Sequence, residues 1–149
     1  MNRRSINILI ADDDDEDVLL VRTSFSRAGL INPLHHVRDG EELLAYLRGE
    51  DGFVDRTVHP YPGVVLLDLN MPRMDGREAL EEIKSDPELC KLPVIVLTTS
   101  KSDEDILQSY RLGVNSFIRK PVEFSEFVTK MRVLGAYWLD IVELPEEAR

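Results

Sequence analysis

The chain has 149 residues, with 18 lysines and arginines against 28 aspartates and glutamates, for a formal charge of −10. So acidic a surface repels nucleic acid and anionic membrane, which excludes both as partners. Cys90 has no second cysteine to pair with, and no apolar run reaches the roughly 18 to 20 residues of a membrane span. The apolar-rich stretch after Met1–Ser5 is too short for a secretory signal core, so a cytoplasmic protein is expected. Hydrophobic residues make up 43% of the chain, enough for an ordinary core, and neither repeats nor linkers divide it. One domain over residues 1–149 is expected.

Short apolar runs alternate with amphipathic stretches. Ile6 to Ala11 reads as a buried strand; Val18, Val21, Phe25 and Ala28 follow at helical spacing and Gly29 supplies a stop. Leu34–Val37 is a second strand, and Asp39-Gly40-Glu41-Glu42 has the pattern of a helix cap ahead of Leu43, Leu44 and Leu47. Gly63 to Leu67 lacks alternation, as a central parallel strand covered on both faces should. Ala79, Leu80 and Ile83 give a third helix that Ser85-Asp86-Pro87 ends. Leu92 to Leu97 is the fourth strand, with Pro93 at its start. Ser102 caps a helix lined by Ile106, Leu107 and Tyr110, and Asn115 to Ile118 is a short fifth strand. Phe124, Phe127, Val128, Met131 and Leu134 form the apolar face of a fifth helix. Five strands alternating with five helices predict a doubly wound α/β fold with a parallel sheet.

In such sheets the functional crevice lies beyond the carboxyl ends of the strands. Here Asp12 and Asp13 follow the first strand, Asp68 the third, Thr98 the fourth, and Arg119-Lys120-Pro121 the fifth. Carboxylates crowded into one crevice repel each other, and their pKa values rise unless a cation compensates. An incomplete, oxygen-only ligand set favours Mg2+, which keeps waters that a phosphoryl group can replace.

The segments Ile8-Leu9-Ile10-Ala11-Asp12-Asp13, Leu66-Leu67-Asp68-Leu69-Asn70-Met71-Pro72-Arg73-Met74-Asp75-Gly76, Val96-Leu97-Thr98 and Lys120-Pro121 resemble, in order, the motifs of a response-regulator receiver domain over roughly residues 6–135. The resemblance implies a five-stranded parallel sheet of order 2-1-3-4-5, of the flavodoxin type. It implies that Asp68 is the phosphoacceptor and takes a phosphoryl group from a phosphohistidine on a sensor histidine kinase. Asp13 would bind Mg2+ directly, Asp12 through water, and Asn70 by its backbone carbonyl, with Asp68 completing the protein ligands. Thr98, Lys120 and the backbone N–H of Thr99 would hold the phosphoryl oxygens, and Lys120–Pro121 would be a cis peptide. Phe117, where many receivers have tyrosine, would rotate inward behind Thr98 and so alter the face of the fourth helix, fifth strand and fifth helix.

Other features admit plainer readings. Asp14, Asp15, Glu16 and Asp17 suit a helix start, where the macrodipole favours acids, and could also extend the metal site. His35, His36 and His59 lack metal-ligand spacing, and Cys90 reads as a small half-buried side chain. Residues 49–63 lengthen the connection before the third strand, and longer loops are often functional. Residues 136–149 form a C-terminal extension carrying Tyr137 and Trp138; it either folds over the core or builds a homodimer with the fifth helix. Loop and extension together resemble single-domain regulators that serve phytochrome-type sensor kinases. Too few residues follow the fifth helix for an output domain, so a stand-alone switch is expected. The alternatives are a phosphorylation-independent scaffold and an aspartate-nucleophile phosphatase, the latter disfavoured because Asp68-Leu69-Asn70 lacks a second carboxylate.

Overall fold

The structure, a computed structural model, describes residues 6–100 and 102–145, with Asp140 described by its backbone alone. The last four residues of the C-terminal extension fall outside that range. Five parallel strands, β1 (Ile8–Ala11), β2 (Leu34–Val37), β3 (Val64–Leu67), β4 (Val94–Thr98) and β5 (Ser116–Arg119), stand in the order β2-β1-β3-β4-β5. Between and after them run α1 (Asp15–Arg27), α2 (Gly40–Arg48), α3 (Gly76–Ser85), α4 (Asp103–Arg111) and α5 (Phe124–Gly135). The expected topology is the observed one.

Alternate residues of the central strands face opposite sides of the sheet, and both sides are covered. Leu9, Val65, Leu67, Val94 and Val96 pack against Leu43, Tyr46, Leu80 and Ile83 of α2 and α3. On the other face Ile8, Ile10, Leu66, Ile95 and Leu97 pack against Val21 and Phe25 of α1 and Phe127 and Met131 of α5. Side chains mark the helix starts: Asp14 accepts from the N–H groups of Glu16 and Asp17, Asp39 from Glu42, and Ser102 from Asp105. Asp75 and Glu78 form a reciprocal capping box at α3.

Some expectations need correction. Ile106, Leu107 and Tyr110 do not bury α4: among its residues only Ser109 is buried, and Leu107 and Tyr110 are about half exposed. The helix lies beside β5, the sheet's edge strand, so no further strand extends beneath it. Its apolar side borders an open groove of about 660 Å³ shared with β5 and α5. Phe124 is likewise 40% exposed, with the Arg27 guanidinium 5.2 Å above its ring. β5 starts at Ser116 because Asn115 is used otherwise: its side-chain Oδ1 accepts from Val94 N–H (3.0 Å) and its own N–H donates to the Val94 carbonyl (2.9 Å). Cys90 is exposed, since Leu89 and Leu92 on either side of it take the core positions.

The 49–63 segment is packed onto the fold. Arg56 donates to the carbonyls of Tyr46 (2.7 Å) and Leu47 (2.9 Å) in the last turn of α2 and to that of His59 (3.1 Å), tying the segment to the end of the helix. The Tyr46 hydroxyl donates to the Pro60 carbonyl at 2.9 Å, and the rings of Phe53 and His59 lie 5.1 and 5.7 Å from the Tyr46 ring. Burial pushes the Tyr46 hydroxyl up to about 12, so it remains a neutral donor.

Past α5 the chain continues as a wide helical turn (Ala136–Ile141), and Val142 N–H donates to the Tyr137 carbonyl at 2.9 Å. Trp138 and Leu139 are buried with the α1/α5 cluster, and Val142 and Leu144 lie against it. The described part of the extension therefore closes over its own core, while Tyr137 and Ile141 face outward. On this geometry, Trp138→Ala should lower the free energy of unfolding by about 3–5 kcal/mol, whereas Ile141→Ala should change it by less than about 1 kcal/mol. Urea denaturation of the two variants checks the contrast.

Candidate functional site

Strand register brings the acids together. Ala11 pairs with Leu67 and Leu67 with Val96, so the residues just beyond β1, β3 and β4 meet at one end of the sheet. Asp12 N–H donates to the Val37 carbonyl and Asp68 N–H to the Ala11 carbonyl, each at 3.0 Å, which extends the ladder to both aspartates. Gly76 lets α3 begin against this point: a Cβ there would collide with the Asp68 carbonyl oxygen.

Asp12, Asp68 and Thr98 are buried and Asp13 is exposed. Asp68 Oδ1 accepts the Thr98 hydroxyl at 2.8 Å and the Asn70 N–H at 3.2 Å. Lys120, whose side chain is only 4% exposed, donates to Asp12 Oδ2 (2.6 Å), Asp17 Oδ2 (2.8 Å) and Asp68 Oδ2 (3.3 Å). Its own N–H donates to the Thr98 carbonyl at 2.8 Å, which anchors the start of the segment after β5. No peptide bond among the described residues is cis, so Lys120–Pro121 is trans, against expectation. The trans form is the lower-energy one by about 0.5–1 kcal/mol, and the ammonium reaches the crevice from it.

Burial raises the Asp12 carboxyl above its ordinary range, more than the Lys120 hydrogen bond and the Asp14 N–H pull it down. Burial alone would lower the Lys120 ammonium; the carboxylates of Asp12, Asp17 and Asp68 reverse this and hold it above its ordinary value. Three carboxylates share the one ammonium and Asp13 lies close to two of them, so negative charge is left over. Ligand oxygens of Asp12, Asp13 and Asp68 lie within 4.8 Å of one another, a spacing and donor chemistry that fit one hard divalent cation.

Asn70 meets Asp68 through its N–H, and Thr99 is exposed at the rim of the crevice. Phe117 is half-buried against the α2/α3 cluster, and its N–H donates to the Tyr110 hydroxyl at 3.2 Å. Of the acidic run, Asp14 is the cap of α1 and Asp15 pairs with Arg38, while Asp17 turns one helical turn inward to Lys120. Asp17 is thus a site residue, and its signal in the sequence was only its place one turn inside the helix. His36 Nε2 lies 2.7 Å from the Asp12 carbonyl oxygen, so this histidine braces the backbone under the acid. Sequence reasoning also missed Arg77, Ser100 and Asp105, which link α3, the β4–α4 loop and α4 beside the crevice.

No helix among the described residues is long and apolar enough to cross a membrane. The sequence profile described as the response regulator receiver domain matches residues 8–132. Response regulator Rcp1 of Synechocystis sp. is 36% identical over 93% of this chain and 92% of its own length. The crystal structure of the phosphorylated cyanobacterial phytochrome response regulator RcpA superposes with a TM-score of 0.88 at 37% identity, covering 96% of this chain and all of that one. The Mn2+-bound form of Rcp1 superposes at 0.85 with 35% identity, covering 94% of this chain and 99% of that chain. Matched along nearly all its length in sequence and in backbone, the chain belongs to the response regulator receiver domain family.

Proposed function

We propose that this chain is a phosphoryl-accepting signalling switch in which Asp68 takes the phosphoryl group of a phosphohistidine on a sensor histidine kinase. The observation that carries the reading is the grip on Asp68: Thr98 holds one carboxylate oxygen and Lys120 the other, beside the buried Asp12. Residues 6–135 would constitute the receiver and residues 136–149 an extension of it. The acidic surface and the lone, exposed Cys90 suit the cytoplasm, where such a kinase presents its phosphohistidine.

In the transfer, an Asp68 carboxylate oxygen forms a bond to phosphorus as the bond from phosphorus to the histidine nitrogen breaks, and the imidazole leaves with that electron pair. Asp12, Asp13, Asp68 and the Asn70 carbonyl would hold Mg2+, which would supply positive charge to the phosphoryl oxygens. Lys120 gives a phosphoryl oxygen the N–H now directed at Asp68. Thr98 turns its hydroxyl from Asp68 to another phosphoryl oxygen, and the Thr99 N–H donates to it as well. Phe117 then follows Thr98 inward, and the α4, β5 and α5 face carries the change. Chemistry of this kind gives transfer to Asp68 and later loss of the phosphate, without turnover of an outside substrate.

A phytochrome-type kinase is the partner we favour, on the likeness to RcpA, a phytochrome response regulator. The α4, β5 and α5 face, together with Tyr137, would receive a second copy of the chain. Tyr110, Val133 and Tyr137 are exposed around its groove, and Leu107 is exposed on the same helix, which leaves apolar surface for a self-complementary contact.

Acetyl phosphate or beryllofluoride should modify the protein only with Mg2+ present, and Asp68→Asn should lose the modification entirely. Intact-mass or 19F NMR measurement reads this out, and modification of the variant would refute the assignment. Because Asp12 titrates above the ordinary carboxylate range and binds metal only when ionised, Mg2+ affinity should weaken on acidification while ordinary carboxylates are still charged. Calorimetric titration from pH 7 downward tests this; an affinity flat to pH 4 would count against it. Leu107→Glu combined with Tyr137→Glu should bring the mass seen by light scattering from two chains to one. An unchanged mass removes the dimer.

A further inference from the structure

Polar contacts close into a ring around Asp68. The Thr98 hydroxyl donates to Asp68 Oδ1, and the Ser100 N–H donates back to Thr98 Oγ1 at 3.4 Å. The Ser100 hydroxyl donates to Asp105 Oδ2 at 2.7 Å, and Arg77 grips both oxygens of the same carboxylate, Nε to Oδ1 at 2.8 Å and Nη2 to Oδ2 at 2.7 Å. Arg77 Nη1 then donates to the carbonyl of Leu69, the neighbour of Asp68, at 3.3 Å. The circuit begins at Asp68, ends at its neighbour Leu69 just beyond β3, and passes through the β4–α4 loop, α4 and α3.

Two features set this pair apart from an incidental surface contact. Arg77 meets Asp105 with its planar fork, the geometry that adds direction as well as charge, and the Asp105 side chain is 18% exposed. Arg77 and the Ser100 hydroxyl hold that carboxyl down at about 2 despite its partial burial, so it stays ionised through the physiological range. Moreover, α4 has no buried apolar residue among those described to locate it. The start of this helix is therefore positioned by Asp105 and by the Ser102 cap, whose own N–H donates to Ser100 Oγ at 3.3 Å.

We infer that Arg77 and Asp105 are positioning residues for phosphoryl transfer: acting through Ser100, they hold the β4–α4 loop where Thr98 meets a phosphoryl group on Asp68, and they tie α4 to that loop. The Leu69 link refers the position of α4 to the same strand end that carries the phosphoacceptor. When Thr98 shifts, Ser100 and Asp105 carry the displacement to α4 through two consecutive polar bonds. This inference rests on Asp68 being the phosphoacceptor.

The test is beryllofluoride affinity at saturating Mg2+, measured on the full chain for the parent, Asp105→Asn, Arg77→Gln, Ser100→Ala and the Arg77→Gln/Ser100→Ala double variant, with Mg2+ affinity measured alongside. Each single variant should bind beryllofluoride about 3- to 10-fold more weakly with Mg2+ affinity unchanged. Since both partners act through Asp105, the double variant should be no weaker than about the poorer single one. Arg48→Ala, which removes an ion pair with Glu82 between α2 and α3 away from the crevice, should match the parent. Parent-like beryllofluoride binding by Asp105→Asn overturns the inference, as do fully additive losses or an equal loss of Mg2+ affinity. A parent that binds no beryllofluoride overturns the phosphoacceptor reading itself, and this inference with it.

Discussion

The ammonium of Lys120 is the constraint on which the site depends. Taking an ammonium and carboxylates out of water costs several kcal/mol per ion unless geometry and hydrogen bonds repay it. Here the repayment is complete on the cation's side: an ammonium has three N–H bonds, and Asp12, Asp17 and Asp68 accept one each. The acids are less well served, since one positive charge is shared by three of them and burial raises the Asp12 carboxyl. A divalent cation between Asp12, Asp13 and Asp68 would remove that surplus. The longest of the three bonds, to Asp68, is also the one a phosphoryl oxygen can take over, so Lys120 can change partner while Asp12 and Asp17 keep it in place.

That arrangement needs the strand ends held in place, and the fold provides it from a core to which the acids of the site contribute nothing. Continuous apolar strands fix the register from both faces, the ladder is extended by the N–H groups of Asp12 and Asp68, and α3 is drawn against the Asp68 carbonyl where only glycine fits. Extension and long loop act at a distance: Trp138 and Leu139 close the α1/α5 face, and Arg56 closes the end of α2. Neither touches the crevice. The extension also borders the groove beside α4, through Tyr137 and Trp138.

Much of this was legible in the sequence because parallel strands covered on both faces read as unbroken apolar runs, and polar residues immediately after such runs have few places to go but the crevice. Asp12, Asp13, Asp68, Thr98 and Lys120 were found in this way. Asp17 was not, because within a run of acids a single one aimed inward looks like its neighbours; only the rotation of α1 selects it, toward a lysine 103 residues later. Arg77 and Asp105 are 28 residues apart on separate helices, and no local pattern couples them. For α4 the pattern misled: Ile106, Leu107 and Tyr110 have the spacing of a core-facing stripe, but spacing says nothing about whether a sheet extends beneath the helix. Edge position, a property of topology, decided it.

The exposure of α4 has a thermodynamic consequence. A switch needs two arrangements separated by only a few kcal/mol, because a ligand can shift an equilibrium by no more than its differential affinity for the two states. A helix anchored by several buried apolar side chains would have to break that packing to move, at a cost of about 2–5 kcal/mol for each large residue withdrawn. α4 is held instead by a cap, the Arg77–Asp105 pair and the Tyr110 hydroxyl on the Phe117 N–H. Such bonds each contribute about 0.5–1.5 kcal/mol net, more where a charge takes part, and they can be remade in a shifted position with little loss. The acidic strand ends and the α4 helix are therefore built from opposite materials, the first on a closely packed apolar core and the second on polar contacts that can be remade.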